Sequence, residues 1–227
     1  MIVEALKSDA LAMIAIPSEE IIALYQEAVG AIYPLLSDVW STMDGLKLYL
    51  QQSENTEILA CYYNGWTHGH YVTSIFAFCP DGTIPITLFN VPGSVHDSQV
   101  AHWGRVYDKL GDVFDDTGGK CTVDSAFGKV NRPFLIKSSQ DYLVPCQLTM
   151  SRGRISSKSD RQHRIQSSFP CLKDTSVYED TGERRILMKM VCLLYNLRAR
   201  TVGRINQIKN VFMRHLDVNA NKEMNMM

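Results

Sequence analysis

Two runs rich in β-branched and aromatic residues stand close together in the chain, and they constrain its fold more than any other feature. They cover residues 71–79 and 83–91, and only Pro80, Asp81 and Gly82 separate them. The proline fixes φ at its own position, and the glycine can take the positive φ that a tight turn requires. The sequence therefore predicts a β-hairpin, and with it an antiparallel pair of strands.

Further strands and helices are predicted on both sides of this hairpin. Helical spacing of apolar residues and the usual start and stop signals define the helices, and short apolar runs define the strands. The predicted strands cover residues 43–50, 120–124 and 133–138; the predicted helices run from the N-cap Ser18 to about Pro34, from Ser98 to about Gly111 and from Arg184 to Val202, with a loop at 115–119. This order predicts an α/β fold with a mixed sheet and helices packed on it.

Length and composition place the chain among globular proteins. Its 227 residues, 45% hydrophobic and 21% charged, suffice for one large domain or for one domain with an appendage. No apolar run approaches the roughly 18 residues of a membrane span, and the N-terminus lacks the basic and apolar regions of a secretory signal. The six cysteines form no C-x-x-C pair, so free thiols in a reducing compartment are expected rather than disulfides or zinc.

The charge of the chain is divided unevenly between its two halves. Residues 1–124 hold 5 Lys and Arg against 16 Asp and Glu, whereas residues 125–227 hold 18 against 8. A basic half beside an acidic half suggests a nucleic-acid surface next to a cation site. Attraction between the two halves of one domain is the alternative explanation.

Asp44 and Asp124 each stand at one end of a short apolar run. Carboxylates at strand ends can hold the divalent metal of a phosphodiester-cleaving site, and magnesium prefers such oxygen ligands. Aspartate at a strand end is also common in ordinary turns. His96 and Asp97 follow the hairpin, either at the rim of the same site or with Asp97 or Ser98 as the N-cap of the next helix.

Two other groups of polar residues allow two interpretations each. His68 and His70 could bind zinc only with a further ligand that the nearby sequence lacks, so hydrogen-bonded histidines are favoured. Three arginines lie near the end of the last predicted helix: Arg198, Arg200 and Arg204. They could contact a phosphate backbone, or they could be solvated side chains that interact favourably with the helix dipole. No P-loop, G-x-G-x-x-G or G-x-S-x-G motif occurs, which counts against nucleotide-binding folds and esterases.

Eight motifs follow one another along residues 40–215. They are Met43-Asp-Gly-Leu-Lys47, Tyr62-Tyr-Asn-Gly-Trp-Thr-His-Gly-His-Tyr71, Pro80-Asp-Gly-Thr83, Asn90-Val-Pro-Gly-Ser-Val-His-Asp-Ser98, Gly119-Lys-Cys-Thr-Val-Asp-Ser-Ala-Phe127, Leu135-Ile-Lys-Ser-Ser139, Ser168-Phe-Pro-Cys-Leu-Lys-Asp174 and Leu194-Tyr-Asn-Leu-Arg198. Together they resemble the catalytic domain of Harbinger-type DDE transposases, the DDE superfamily endonucleases, in particular copies abundant in oomycete and other eukaryotic genomes.

The resemblance implies an RNase H-like mixed five-stranded sheet flanked by helices. It implies a metal-dependent endonuclease or transposase that acts on DNA in the nucleus with Mg²⁺ or Mn²⁺, and it allows for a separate DNA-binding accessory protein. The first catalytic aspartate, on the first strand, falls on Asp44, and the second, after the fourth strand, falls on Asp124. The expected division is a helical N-terminal remnant at 1–40, the endonuclease domain at 41–215 and a tail at 216–227.

The third acidic residue of the family is not found at its expected position. Similar sequences carry a Glu-Trp-Gly segment shortly before the phenylalanine matched by Phe169, but this chain has Ser159 there, with Asp160 beside it as a substitute ligand. The mismatch lies within a divergent segment at 141–164, for which a frameshift or small deletion in the gene is one hypothesis. A catalytically inactive remnant that binds DNA or a protein is therefore the alternative to an active enzyme.

Overall fold

A mixed sheet with helices on both faces forms the centre of the molecule. The computed structural model describes residues 2–51, 54–127, 131–137, 169, 172 and 181–202. The strands are β1 (Val39–Tyr49), β2 (Tyr63–Asn64), β3 (Gly69–Phe78), β4 (Ile86–Pro92), β5 (Lys120–Val123) and β6 (Leu135–Lys137). The helices are α1 (Ile2–Ser8), α2 (Glu19–Ile32), α3 (Thr56–Tyr62), α4 (Asp97–Trp103), α5 (Val106–Thr117) and α6 (Thr181–Val202), with 3₁₀ turns at Pro34–Leu36 and Ser125–Phe127.

The order of the strands agrees with the expected fold. The strands β2-β3-β1-β5-β6 are neighbours in this order, and β4 also pairs with β3. β3 runs antiparallel to β1 and β4, whereas β5 runs parallel to β1 and β6 runs parallel to β5. Apart from the two-residue β2, this is a mixed sheet of five strands. The structure is therefore consistent with an RNase H-like fold, as the sequence predicted.

The predicted hairpin is formed by β3 and β4. Phe76 pairs with Thr87, and Ala77 pairs with Ile86. In the turn, Gly82 has a φ of 92°, and the Asp81 carboxylate accepts a hydrogen bond from the Thr83 amide at 2.9 Å. Gly82 thus has the positive φ that the sequence suggested, and the hairpin is confirmed.

Each face of the sheet packs against its own set of helices. Met43, Ile75 and Val123 lie in a core beneath α2, α4 and α5. On the other face, Leu46 and Phe76 lie in a second core beneath α6. Side chains alternate between the two faces of a strand, so neighbouring positions of β1 contribute to different cores.

Asn196 connects α6 to the edge of the hairpin. Its side chain is fully buried. The Oδ1 atom accepts a hydrogen bond from the Ile84 amide at 2.7 Å, and Nδ2 donates to the carbonyls of Ile84 at 3.0 Å and Met13 at 3.1 Å. A buried amide with three partners fixes the position of α6 relative to both segments.

The predicted helix from Ser98 to Gly111 is interrupted, and this prediction was wrong. α4 ends at Trp103, and α5 begins at Val106 after Arg105, which has a φ of 53°. Gly104 allows a close approach, because a Cβ there would lie 2.3 Å from Leu88 Cδ2. α5 then continues to Thr117 through most of the predicted loop at 115–119 and stops at Gly118, whose φ is 68°.

The structure contains the first and the last of the helices that the sequence predicted. The helices predicted to begin after Ser18 and at Arg184 are present as α2 and α6, although α6 begins at residue 181 and the Ser18 side chain makes no cap hydrogen bond. The short elements α1, α3 and β2 were not predicted.

The four described cysteines are free, and three of them are buried. No helix in the described ranges has the length and apolar character needed to span a bilayer.

The N-terminal segment packs on the sheet. Ile22, Tyr25 and Ala28 of α2 belong to the first core, and β1 already begins at Val39. The division at residue 40 into a remnant and an endonuclease domain stays a prediction. The divergent segment at 141–164 and the tail at 216–227 lie outside the described residues.

Candidate active site

Asp44 and Asp124 occupy equivalent positions on neighbouring parallel strands. Asp44 lies within β1, and Asp124 directly follows β5. Thr42 lies two residues before Asp44 and Thr122 two residues before Asp124, and these two threonines pair with each other across β1 and β5. Because neighbouring strands lie about 4.8 Å apart, continuing this register by two residues puts the backbone positions of Asp44 and Asp124 close together.

Local hydrogen bonds hold both carboxylates, and both residues are partly buried. The Gly45 amide donates to Asp44 Oδ1 at 2.9 Å, and Asp44 Oδ2 is enclosed by protein. The Ala126 amide donates to Asp124 Oδ1 at 2.7 Å, where the chain turns into the 3₁₀ segment after β5. These bonds limit the rotation of both side chains, which favours a preformed site.

Asp97 approaches the same part of β1 from the side of α4. A Cβ at Gly45 would lie 3.1 Å from Asp97 Oδ2, so the glycine leaves room for this carboxylate. Burial raises the pKa of Asp97, and the negative charge of Asp124 acts in the same direction, whereas Lys47 and His96 oppose the shift. Asp97 is therefore within electrostatic range of Asp124.

His96 is the N-cap of α4, a role that the sequence gave to Asp97 or Ser98. The helix begins at Asp97, one residue earlier than expected, and the Ser98 amide donates to His96 Nδ1 at 3.3 Å. The imidazole thus satisfies a free amide of the first turn. Asp97 lies close to Gly45, the neighbour of Asp44, and the role of His96 and Asp97 at the rim of the site stays a prediction.

The pair of aspartates suits magnesium or manganese in its chemistry. Magnesium in proteins commonly uses one or two carboxylates and completes its shell with water and substrate phosphates. Within the described ranges, no group of three or more His, Cys, Asp or Glu side chains is placed to hold a metal ion. The substitute ligand Asp160 lies outside those ranges. In the part of the chain that the structure describes, Asp44 and Asp124 are therefore the candidate metal ligands.

The two histidines of the Trp66 region take part in local contacts. His68 Nδ1 lies 3.2 Å from the Tyr63 hydroxyl, and the His70 ring lies 5.1 Å from the Tyr63 ring. These contacts agree with the favoured interpretation of locally bonded histidines.

The C-terminal arginines differ in their surroundings. Arg200 Nη1 donates to the carbonyls of Leu11 at 2.7 Å and Met13 at 3.0 Å, so it anchors the segment after α1. Arg198 is exposed, and Arg204 lies outside the described residues. Contact of these arginines with a DNA backbone stays a prediction.

A basic groove runs along the edge strand β4. Its cavity of about 410 Å³ is lined by residues 85–89 and by the side chains of Lys7, Lys109, Arg185 and Lys189. Lys7 pairs with Glu4, whereas the other three, the groove cations, make no ion pair with any described residue. They come from α5 and α6, on opposite faces of the sheet, so no sequence pattern indicated that they would converge.

The groove lies close to the candidate metal site. Thr87, in its wall, pairs with Phe76, which pairs with Asp44 on the next strand. Two strand spacings amount to about 10 Å between the backbones of Thr87 and Asp44. A duplex could therefore contact the groove and the aspartates together.

Comparison with known proteins identifies the family of the chain. No curated protein and no solved structure matches it significantly. A family model described as DDE superfamily endonuclease matches residues 43–196, about two thirds of the chain and the whole stretch from Asp44 to Asn196. With the mixed sheet and the order of its strands, this match shows that the chain belongs to the DDE superfamily endonucleases.

Proposed function

We propose that this protein is a transposase-derived nuclease domain that hydrolyses or transfers phosphodiester strands of DNA with a divalent metal. One observation carries the proposal: Asp44 on β1 and Asp124 after β5 each come two residues after the paired Thr42 and Thr122 of these parallel strands, in a chain of the endonuclease family. Two carboxylates in this arrangement have the chemistry of a magnesium or manganese site at which a phosphodiester reacts.

Asp44 and Asp124 would hold the metal, which when bound supplies Lewis acidity at the phosphate. The amides of Gly45 and Ala126 would keep one oxygen of each carboxylate in place. Asp97 would act at the rim, where its charge and that of Lys47 adjust the local potential. The nucleophile would be water or a DNA 3′-hydroxyl.

The basic residues would position DNA without reading its sequence. Phosphate contacts supply orientation and a large share of affinity, whereas base contacts supply specificity. The groove cations suit this role because they face one cavity near the aspartates. Arg198, on α6, and Arg204 would make further phosphate contacts of this kind. Nuclear localisation and a separate DNA-binding accessory protein are part of the same proposal.

The test is cleavage of supercoiled plasmid DNA in the presence of Mg²⁺ or Mn²⁺. Asp44→Asn and Asp124→Asn should each reduce cleavage at least about 100-fold, since loss of even an outer partner of a metal site costs 10- to 100-fold. Asp116→Asn, an exposed aspartate on α5, is the matched control and should cleave like wild type. Wild-type rates in both site variants would refute the proposal.

A catalytically inactive remnant that binds DNA or protein is the second candidate. It is favoured because, among the described residues, no third His, Cys, Asp or Glu side chain is grouped with the pair so as to hold a metal ion. Wild-type protein that binds DNA but cleaves none with either metal would establish this alternative. Metal-dependent cleavage that needs both aspartates would exclude it.

A further inference from the structure

The segment that leaves Asp124 returns to the sheet as a crossover between two parallel strands. β5 ends at Val123, and β6 begins at Leu135 and runs parallel to it. The chain therefore passes from the end of the sheet that carries Asp124 back toward the other end before β6 starts. Two cations of this part of the chain, Arg132 and Lys137, are only partly buried.

Two aromatic rings hold the side chain of Arg132. Its Cζ atom lies 4.2 Å from the centroid of the Tyr107 ring and 5.9 Å from that of the Phe134 ring. A guanidinium can lie over a ring and still keep the N–H groups at its edge for a phosphate or a carboxylate. Arg132 forms no ion pair with any residue that the structure describes. The rings thus fix a guanidinium that has donors to offer to an anion.

Tyr107 connects this cation to the turn that carries Asp124. The Tyr107 hydroxyl donates to the Phe127 carbonyl at 3.1 Å, and the Phe127 amide donates to the Asp124 carbonyl at 3.3 Å. Burial raises the pKa of Tyr107, and the charge of Asp97 adds to the shift, whereas the charge of Arg132 opposes it. Asp97 is in turn within electrostatic range of Asp124. Arg132 therefore lies in the same electrostatic neighbourhood as this candidate metal ligand.

Lys137 lies beside Asp124 at the carboxyl ends of β5 and β6. It is the last residue of β6 and pairs with Val123, which directly precedes Asp124. One strand spacing and one residue put the backbones of Lys137 and Asp124 about 6 Å apart. Val123 and Tyr107 both belong to the first core, so Lys137 lies on the same face of the sheet as the Arg132 stack. Lys137 likewise forms no ion pair within the described ranges, and we call these two residues the β6 cations.

The strand registers place the β6 cations across the aspartates from the basic groove. Thr87, in the wall of the groove, pairs with Phe76, and Phe76 pairs with Asp44. The backbones of Thr87 and Asp44 are about 10 Å apart, and two further strand spacings from β1 to β6 add about 10 Å. The aspartates therefore lie near the middle of a row of about 20 Å, with the groove cations at its β4 end and the β6 cations at its other end.

We propose that the β6 cations bind the DNA backbone on the side of the aspartates opposite to the basic groove, so that the reacting phosphodiester lies between two held segments of one duplex. The inference rests on the proposed function and adds a substrate class to it: an internal phosphodiester with paired DNA on both sides, rather than one at a DNA end. Arginine suits phosphate as a planar fork and lysine as a point charge. Carboxylates repel phosphates, so cations on both sides favour a backbone that passes over the aspartates.

The experiment measures binding of a fluorescein-labelled blunt duplex of about 20 base pairs by anisotropy, in EDTA and between about 50 and 200 mM salt. Arg132→Gln and Lys137→Gln should each make the plot of log binding constant against log salt concentration less steep by about 0.9, the value of one phosphate contact. The double substitution should have about twice this effect. The changes should be equal for two duplexes of unrelated sequence, because phosphate contacts carry no sequence information.

Lys120→Gln is the matched control. It changes the net charge by the same amount, but Lys120 begins β5, at the end opposite to Asp124, and pairs with Asp38 at 2.6 Å. Its plot should be as steep as that of the wild type.

Cleavage of an end-labelled linear duplex with Mg²⁺ or Mn²⁺ tests the substrate class. The row of about 20 Å corresponds to about six base pairs at 3.4 Å each. With DNA held on both sides, cuts should fall no closer than about three base pairs to either end. Frequent cuts at terminal phosphodiesters would contradict this substrate class.

An unchanged slope in both β6 variants would overturn the proposal, and so would an equal change in Lys120→Gln. If Arg132→Gln loses its fold together with the contact to Tyr107, Lys137→Gln decides alone, because Lys137 is partly exposed at a strand end. Failure of the proposed function is distinguishable. An inactive remnant that binds DNA would show the slope changes without cleavage, whereas an active enzyme without this contact would cleave plasmid DNA and show unchanged slopes. Wild-type protein that binds no DNA would overturn both.

Discussion

Replacement of Asn196 by leucine should destabilise the protein more than most single substitutions. Leucine has a similar volume but cannot make the three hydrogen bonds of the amide. The Met13 carbonyl keeps a partner, because it also accepts from Arg200 at 3.0 Å. The amide and carbonyl of the fully buried Ile84 lose theirs.

The magnitude follows from these two backbone groups. A buried group that loses its partner costs about 1–3 kcal/mol, so the pair costs about 2–6 kcal/mol. The buried leucine side chain offsets about 1 kcal/mol or somewhat more. The expected net loss is about 3 kcal/mol of the free energy of unfolding, a large share of the 5–15 kcal/mol that is typical of a domain.

Urea denaturation followed by circular dichroism measures this loss as a shift of the midpoint at constant slope. Asn55→Ala is the control, because Asn55 caps the exposed end of α3 with hydrogen bonds to the amides of Glu57 and Ile58. Loss of such a cap costs about 1 kcal/mol. A loss in Asn196→Leu no larger than that of the control would refute the role of Asn196 in fixing α6 to the hairpin.

Three further predictions concern the groove, the metal and the glycines. When the three groove cations are replaced by alanine, the plot of log binding constant against log salt concentration, measured with duplex DNA, should become less steep by about 2–3. An unchanged slope would exclude these side chains from the DNA contact. Mg²⁺ should raise the melting temperature of the wild type but not of Asp44→Asn, and equal shifts would place the metal elsewhere. Gly93→Ala should cost about 1–3 kcal/mol in urea denaturation, because its Cβ would lie 2.5 Å from the Tyr71 carbonyl oxygen. Gly182→Ala, with nothing within 4 Å of its Cβ, should instead stabilise α6 by up to about 1 kcal/mol, and the same sign for both glycines would contradict this explanation.

Short-range patterns account for the elements that the sequence predicted. The Pro80-Asp81-Gly82 turn and the β-rich runs around it specify the hairpin locally, and the apolar spacing before Pro34 specifies α2. The break between α4 and α5 has no such signal. It depends on the contact of Gly104 with Leu88, which lies on another element.

The sequence by itself determined the order of the main strands and of α2 and α6, the family and the candidate aspartates. Local backbone preferences are expressed over a few residues, and the family motifs are contiguous, so both can be read without a structure. This is why Asp44 and Asp124 could be named from the sequence.

Only the tertiary structure decided which distant residues meet. The register of β1 with β5 brings the positions of Asp44 and Asp124 together. The groove cations converge because α5 and α6 pack on opposite faces at one edge of the sheet. Strand register and helix packing depend on contacts between residues far apart in the chain, and no local pattern encodes them.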